Sequence, residues 1–112
     1  METSIKIMNA FSFNMIPYEN VNIAMRKLHL KEADSLLSMF DTVENCIGHE
    51  DTNSVVQSKL FFPIGKGNRC TVKLKLGESA IIAQYIGPRL EAGATKLPDN
   101  SKIDFIFIKV NP

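Results

Sequence analysis

The 112-residue chain contains no tryptophan, only two cysteines and two histidines, and almost no net charge, with 13 Lys+Arg against 12 Asp+Glu. Each scarcity excludes something. Near-neutrality removes the overall basic field that draws proteins to long nucleic acid, so an anion bound here must be held by local groups. Two cysteines, Cys46 and Cys70, are too few for a disulfide framework and read as reduced thiols of a cytosolic protein that fill its core. No apolar run approaches the length needed to span a bilayer, and "METSIKIMNAFSFNMIP" breaks its apolar residues with Lys6, Asn9, Ser12 and Asn14, unlike a signal peptide. The expected location is cytoplasmic, with no membrane partner.

What is present is enough for one core. The length suits one domain over residues 1–112, and 45% hydrophobic content can bury a core without metal or crosslink. "SIKIMNAF" alternates as a strand ending near Asn9, and "NMIPYEN" marks a turn. "VNIAMRKL" fits a strand through Val21, Ile23 and Met25 and also one helical face. The strand is preferred because "KEADSLLSMF" after it is the better helix, with Ala33, Leu36, Leu37 and Phe40 on one stripe. "TVENCI" predicts a short strand, and "EDTNSVVQSKLF" a helix with Val55, Val56 and Leu60 inward. "FFPIGKGNR" predicts a loop. Strands follow in "RCTVKLKL", "SAIIAQYI" and "KIDFIFIKV", with "LGES" as a hairpin between the first two, while "SMF" and "FIFIKV" fill the core. The fold class is α/β: a mixed, mostly antiparallel sheet of about five strands covered by two or more helices.

Two stretches carry chemistry. In "CIGHEDT", Gly48 and His49 precede Asp51 and Thr52, residues that commonly start helices. A helix start offers unpartnered N–H groups and partial positive charge to a phosphate, Gly48 would let a ligand approach, and a histidine titrates near pH 6.5 in model compounds. Equally, Asp51 or Thr52 could cap the helix and leave His49 solvated. In "AQYIGPRLEAGATKLPDN", Arg89 has the planar fork of donors that suits phosphate oxygens, unless it pairs with Glu91 on an exposed hairpin. Cys46, His49, Cys70 and His29 make a weak zinc match, and a Cys46 nucleophile activated by His49 has no third orienting residue.

"IMNAFSFNMIP", "IGHEDT", "GNRCTVKLKLGESAIIAQYIGPRL" and "LPDN", in this order over nearly the whole chain, resemble the small viral and mobile-element proteins known as type III anti-CRISPR ring nucleases. The resemblance implies a homodimer, with no metal or other cofactor, that binds cyclic tetra-adenylate and cuts it to linear di-adenylates with 2′,3′-cyclic phosphate ends. By the same match His49 is the general acid and Arg89 holds the phosphate. Asn9, Asn14, Gly48, Arg69 and Gln84 are ligand-binding positions. The chain departs from the family pattern at Arg89-Leu90-Glu91-Ala92-Gly93, where the family reads Arg-Leu-Pro-Glu-Gly. A one-residue shift in an extended segment turns a side chain to the other face, so Glu91 stands as a candidate for the catalytic carboxylate. Two other readings remain: a protein that sequesters a cyclic oligoadenylate without turnover, and a small DNA-binding regulator, against which the near-neutral charge counts.

Overall fold

The structure, a computed structural model, describes residues 3–112. Its strands are β1 (Ser4–Met8), β2 (Asn22–Leu28), β3 (Thr42–Asn45), β4 (Ser79–Ile86) and β5 (Lys102–Asn111). Its helices are α1 (Leu30–Ser38) and α2 (Glu50–Lys59), with one 3-10 turn at Phe13–Met15. The sheet order is β2-β5-β4-β1-β3. β5 runs against both neighbours in ladders of seven and eight residue pairs, whereas β1 pairs with β3 and β4 in parallel over four and three. Four strands therefore run one way and β5 the other, and this mixed five-stranded sheet with two helices is the α/β fold expected.

Alternation along the strands sorts side chains to two faces. Ile5, Ile7, Ile81, Ala83 and Phe105 point to one face, where they pack with Ala33 and Leu37 of α1, Val56 of α2 and Leu60 just beyond it. Met8, Ala80, Ile82, Ile108 and Val110 point to the other, where Val72 and Leu74 join them and Phe11, Met15 and Ile16 pack alongside. On the face of β1 that carries Met8, Lys6 lies opposite Glu44 of β3 and pairs with it at 3.5 Å.

Helix ends are set locally. The side chain of Glu32 accepts the His29 N–H at 3.2 Å and the Arg26 guanidinium at 2.7 Å, which joins the end of β2 to the first turn of α1. The Arg26 contact, then the His29 N–H, hold the Glu32 carboxyl below its ordinary pKa. Beyond α2, Gln57 donates to the carbonyls of Leu60 and Phe62 and accepts the Ile64 N–H, turning the chain around Pro63.

Four expectations are corrected. "RCTVKLKL" is not a strand. Its alternation is real, with Val72 and Leu74 buried, but the backbone bonds elsewhere: Leu74 N–H to the Met15 carbonyl at 2.8 Å and Leu76 N–H to the Tyr18 hydroxyl at 3.3 Å. "LGES" is accordingly a turn leading into β4, with Gly77 at φ 85°, and not a two-strand hairpin. Met39 of "SMF" is 75% exposed, because α1 ends at Ser38 and its next residue leaves the buried stripe. The cysteines differ as well. Cys46 is buried, but Cys70 is exposed and the two sulfurs are joined as a disulfide with a Cα–Cα distance of 5.7 Å. Two thiols brought together across 24 residues by the fold cannot be recognised as partners from their count alone.

Candidate functional site

Because β1, β3 and β4 run parallel, their carboxyl ends lie along one edge of the sheet, the edge where open α/β sheets place ligands. Asn9 follows β1, Cys46–His49 follows β3, and Gly87–Arg89 follows β4. Gln84 lies two residues before the end of β4. The expected site residues that are far apart in sequence therefore leave the sheet on the same side.

The turn from β3 into α2 is built by Asn45, the one buried polar residue of the described chain. Its amide N–H2 reaches Asn53 Oδ1 at 2.7 Å and the carbonyls of Ile64 and Gly65 at 3.2 and 3.3 Å, while its Oδ1 accepts the Ile47 N–H at 3.0 Å. Asn68 N–H closes the same knot on the Asn45 carbonyl at 3.1 Å. Here Gly67 passes so close to the Ile47 carbonyl oxygen that a Cβ would overlap it. The result is a tight layer in which residues 64–70 lie against residues 45–48.

His49 itself is the N-cap of α2, with extended dihedrals (φ −118°, ψ 126°) and no side-chain cap bond. Asp51 and Thr52 sit inside the first turn, so neither caps the helix, and the helix start is left to other partners. His49 is exposed. Arg69 reaches this point from the neighbouring segment: its Cγ and Cβ would lie 3.3 and 3.5 Å from a Cβ on Gly48, so the arginine stem packs directly on the glycine. The Cys46–Cys70 bond holds the residues on either side of this contact together. Glu50 and Asp51 also lie in the first turn, and their charge opposes a second anion there.

Arg89 and Glu91 belong to the 15 residues 87–101 that join β4 to β5. Its base is fixed by the Tyr85 hydroxyl donating to the Pro88 carbonyl, by Gly87 packed on Ser101, and by Ser101 donating to the Pro98 carbonyl. Its tip is tied to α2 by the Gly93 N–H donating to Asp51 Oδ1 at 3.0 Å. Arg89 and Glu91 line a cleft of about 560 Å3 with Gly93, Lys96 and Pro98. Among the described residues Arg89 enters no ion pair, with Glu91 or any other group.

The remaining expected positions lie apart from these two. Asn9 and Gln84 open into a groove of about 390 Å3 walled by Phe11, Phe13, Ile23 and Met25. Asn14 is exposed in the 3-10 turn, where its carbonyl accepts Lys73 Nζ at 2.7 Å. Within one chain, Gly48, His49 and Arg69 form one group, Arg89 and Glu91 a second that Asp51 links to the first, and Asn9 with Gln84 a third. As for metals, neither histidine joins a cluster: the group of possible ligands among the described residues is Glu44, Cys46 and Cys70, and there the two sulfurs bond each other. Asn45 and Asp51 are the two residues that sequence reasoning did not assign. The available signal for Asn45 was a polar residue set directly before the apolar Cys46-Ile47 pair, while Asp51 was read only as a possible helix cap without its partner being visible.

The profile of the family described as STIV B116-like matches residues 5–105. Among solved structures, "B116 of Sulfolobus turreted icosahedral virus (STIV)" is similar at 29% identity with a TM-score of 0.80, covering 95% of this chain and 98% of that one. No curated protein matches. No helix among the described residues is long and apolar enough to cross a membrane.

Proposed function

From the premise that this chain belongs to the STIV B116-like family, named for a viral protein, and from the grouping of its motif residues at one sheet edge, we propose that it is a metal-independent ring nuclease. Its substrate is cyclic tetra-adenylate, and its products are linear di-adenylates with 2′,3′-cyclic phosphate ends. The consequence is suppression of type III CRISPR signalling in the cytoplasm of an infected cell. The observation that carries this reading is the Gly48-His49-Arg69 group: an uncapped helix start, an exposed imidazole at the N-cap and an arginine stem packed beside it.

In this mechanism a ribose 2′-hydroxyl attacks the adjacent phosphorus, the bond to the 5′-oxygen breaks, and protonated His49 delivers a proton to that leaving oxygen. General acid assistance of this kind contributes roughly two to four orders of magnitude. Arg69 and Arg89 neutralise the non-bridging oxygens as charge builds on them, and Glu91 is the candidate acceptor of the 2′-hydroxyl proton. Asn9, Asn14 and Gln84 bind the nucleosides. A ring with two-fold symmetry suits a two-fold dimer, which presents each group twice. The apolar groove beside Asn9 and Gln84 supports such a dimer, since Phe13 is 80% and Met25 59% exposed there.

The displaced Glu91 favours a second reading, in which the ring is held without turnover. Labelled cyclic tetra-adenylate incubated in EDTA with wild type and with His49→Ala separates the two. Linear products from wild type alone support the nuclease. Intact ligand bound by both proteins would leave only sequestration, and no binding by either would sink both readings.

A further inference from the structure

Asp51 has no part in the chemistry above, yet it makes the one hydrogen bond among the described residues that joins the 87–101 segment to α2. We propose that Asp51 is a positioning residue: its carboxylate latches the tip of this segment to the helix start and so fixes Arg89 and Glu91 relative to His49. This inference rests on the ring-nuclease reading for its consequence, and on geometry alone for the latch.

Three observations support it. The segment is long, and loops of this length that persist in small domains are commonly functional and need restraint. Its base is secured at Pro88, Gly87 and Ser101, but those contacts all lie at the β4 and β5 ends and none holds the Glu91–Gly93 tip. The Asp51 contact falls between them, two residues from His49 along α2 and two residues from Glu91 along the loop. The tip is also preshaped to meet it: Ala94 N–H donates to the Glu91 carbonyl at 3.1 Å, closing a turn that points the Gly93 N–H outward at φ 81°. A carboxylate accepting an N–H is a stronger anchor than a neutral acceptor.

Asp51→Asn keeps an oxygen acceptor in the same place and removes the charge, whereas Asp51→Ala removes both. Amide hydrogen exchange of the whole protein reads the latch directly: in wild type the Gly93 N–H exchanges more slowly than those of Ala92 and Thr95, Asp51→Asn retains most of that protection, and Asp51→Ala loses it while the strands stay protected. Turnover of cyclic tetra-adenylate reads the consequence. A misplacement on the order of 1 Å costs about a hundredfold in rate, so kcat falls by up to that factor in Asp51→Ala, the dissociation constant of the uncleaved ring in a His49→Ala background shifts far less, and Asp51→Asn recovers most of the rate. Unprotected Gly93 in wild type overturns the latch whatever the activity. Equal loss of rate in Asp51→Asn and Asp51→Ala overturns positioning in favour of a role for the charge itself. A wild type that protects Gly93 but cleaves nothing overturns the ring-nuclease reading and the rate claim, and leaves the latch standing as a loop anchor.

Discussion

At Gly48 a methyl group would lie 3.3 Å from Arg69 Cγ, tight enough that the arginine must shift but not so tight that the fold must open. At Gly67 the same methyl would overlap the Ile47 carbonyl oxygen, which belongs to backbone and cannot swing away. The two alanine substitutions therefore separate function from stability. Gly48→Ala is expected to leave the melting temperature nearly unchanged and to weaken ring binding by moving Arg69, which titration of the uncleaved ring against His49→Ala and the double variant measures. Gly67→Ala destabilises the protein by about 1–3 kcal/mol, the usual cost of overpacking, measurable in urea. Arg69→Lys is not conservative here, because a lysine keeps the charge and the stem but loses the two-pronged contact with a phosphate, so affinity falls despite an unchanged net charge.

At the scale of elements, the knot around Asn45 joins β3, α2 and the 64–68 loop. Asn45→Ala removes its four hydrogen bonds and leaves the buried Ile47 N–H without an acceptor. Unsatisfied buried groups cost about 1–3 kcal/mol, and because α2 begins in this knot, amides of its first turn exchange faster in the variant than those of β4 and β5. The link between β2 and α1 responds to pH instead. Arg26 and the His29 N–H hold Glu32 below its ordinary pKa, so the folded state binds that proton less readily than the unfolded chain. The stability this adds is complete above the unfolded carboxyl value of about 4.3 and is lost as pH falls through the lower folded value. Glu32→Gln flattens that part of a melting-temperature profile between neutral and acid pH. These elements were readable to unequal degrees. β1, β4, β5 and both helices follow from the spacing of their apolar residues, since Ile5 and Ile7, or Ala33 and Leu37, must share a face, whereas β2 was ambiguous by spacing and followed only from the better helix after it. Residues 70–76 misled for the same reason: Val72 and Leu74 are buried in alternation, but alternation does not reveal that the Leu74 N–H goes to Met15 rather than to a strand. Asn45 and Asp51 were opaque as scaffolding because the partners of their side chains lie up to 20 and 42 residues away. Of the candidate site, the family resemblance marked His49, Arg69 and Arg89; the parallel course of β3 and β4 explains why His49 and Arg89 leave one edge, and the Asn45 knot with the Cys46–Cys70 bond brings Arg69 to Gly48.

For the whole molecule, the apolar groove bearing Phe13 and Met25 is the surface on which the dimer proposal depends. A glutamate at either position sets charge into that face, so Met25→Glu or Phe13→Glu lowers the mass in solution to that of one chain, about 12.5 kDa by light scattering, and lowers ring affinity with it. A wild type that is already monomeric would remove the groove from the account. The sheet order carries a different consequence, for assembly in time. β2 pairs only with β5, and β5 alone joins β2 to the three strands β4, β1 and β3. As long as a growing chain lacks β5, β2 has no strand to pair with, even when β1, β3 and β4 have been made. Until β5 emerges, β2 offers a bare strand edge to other nascent chains, so synthesis that stalls inside residues 102–111 yields aggregation rather than a truncated but working protein.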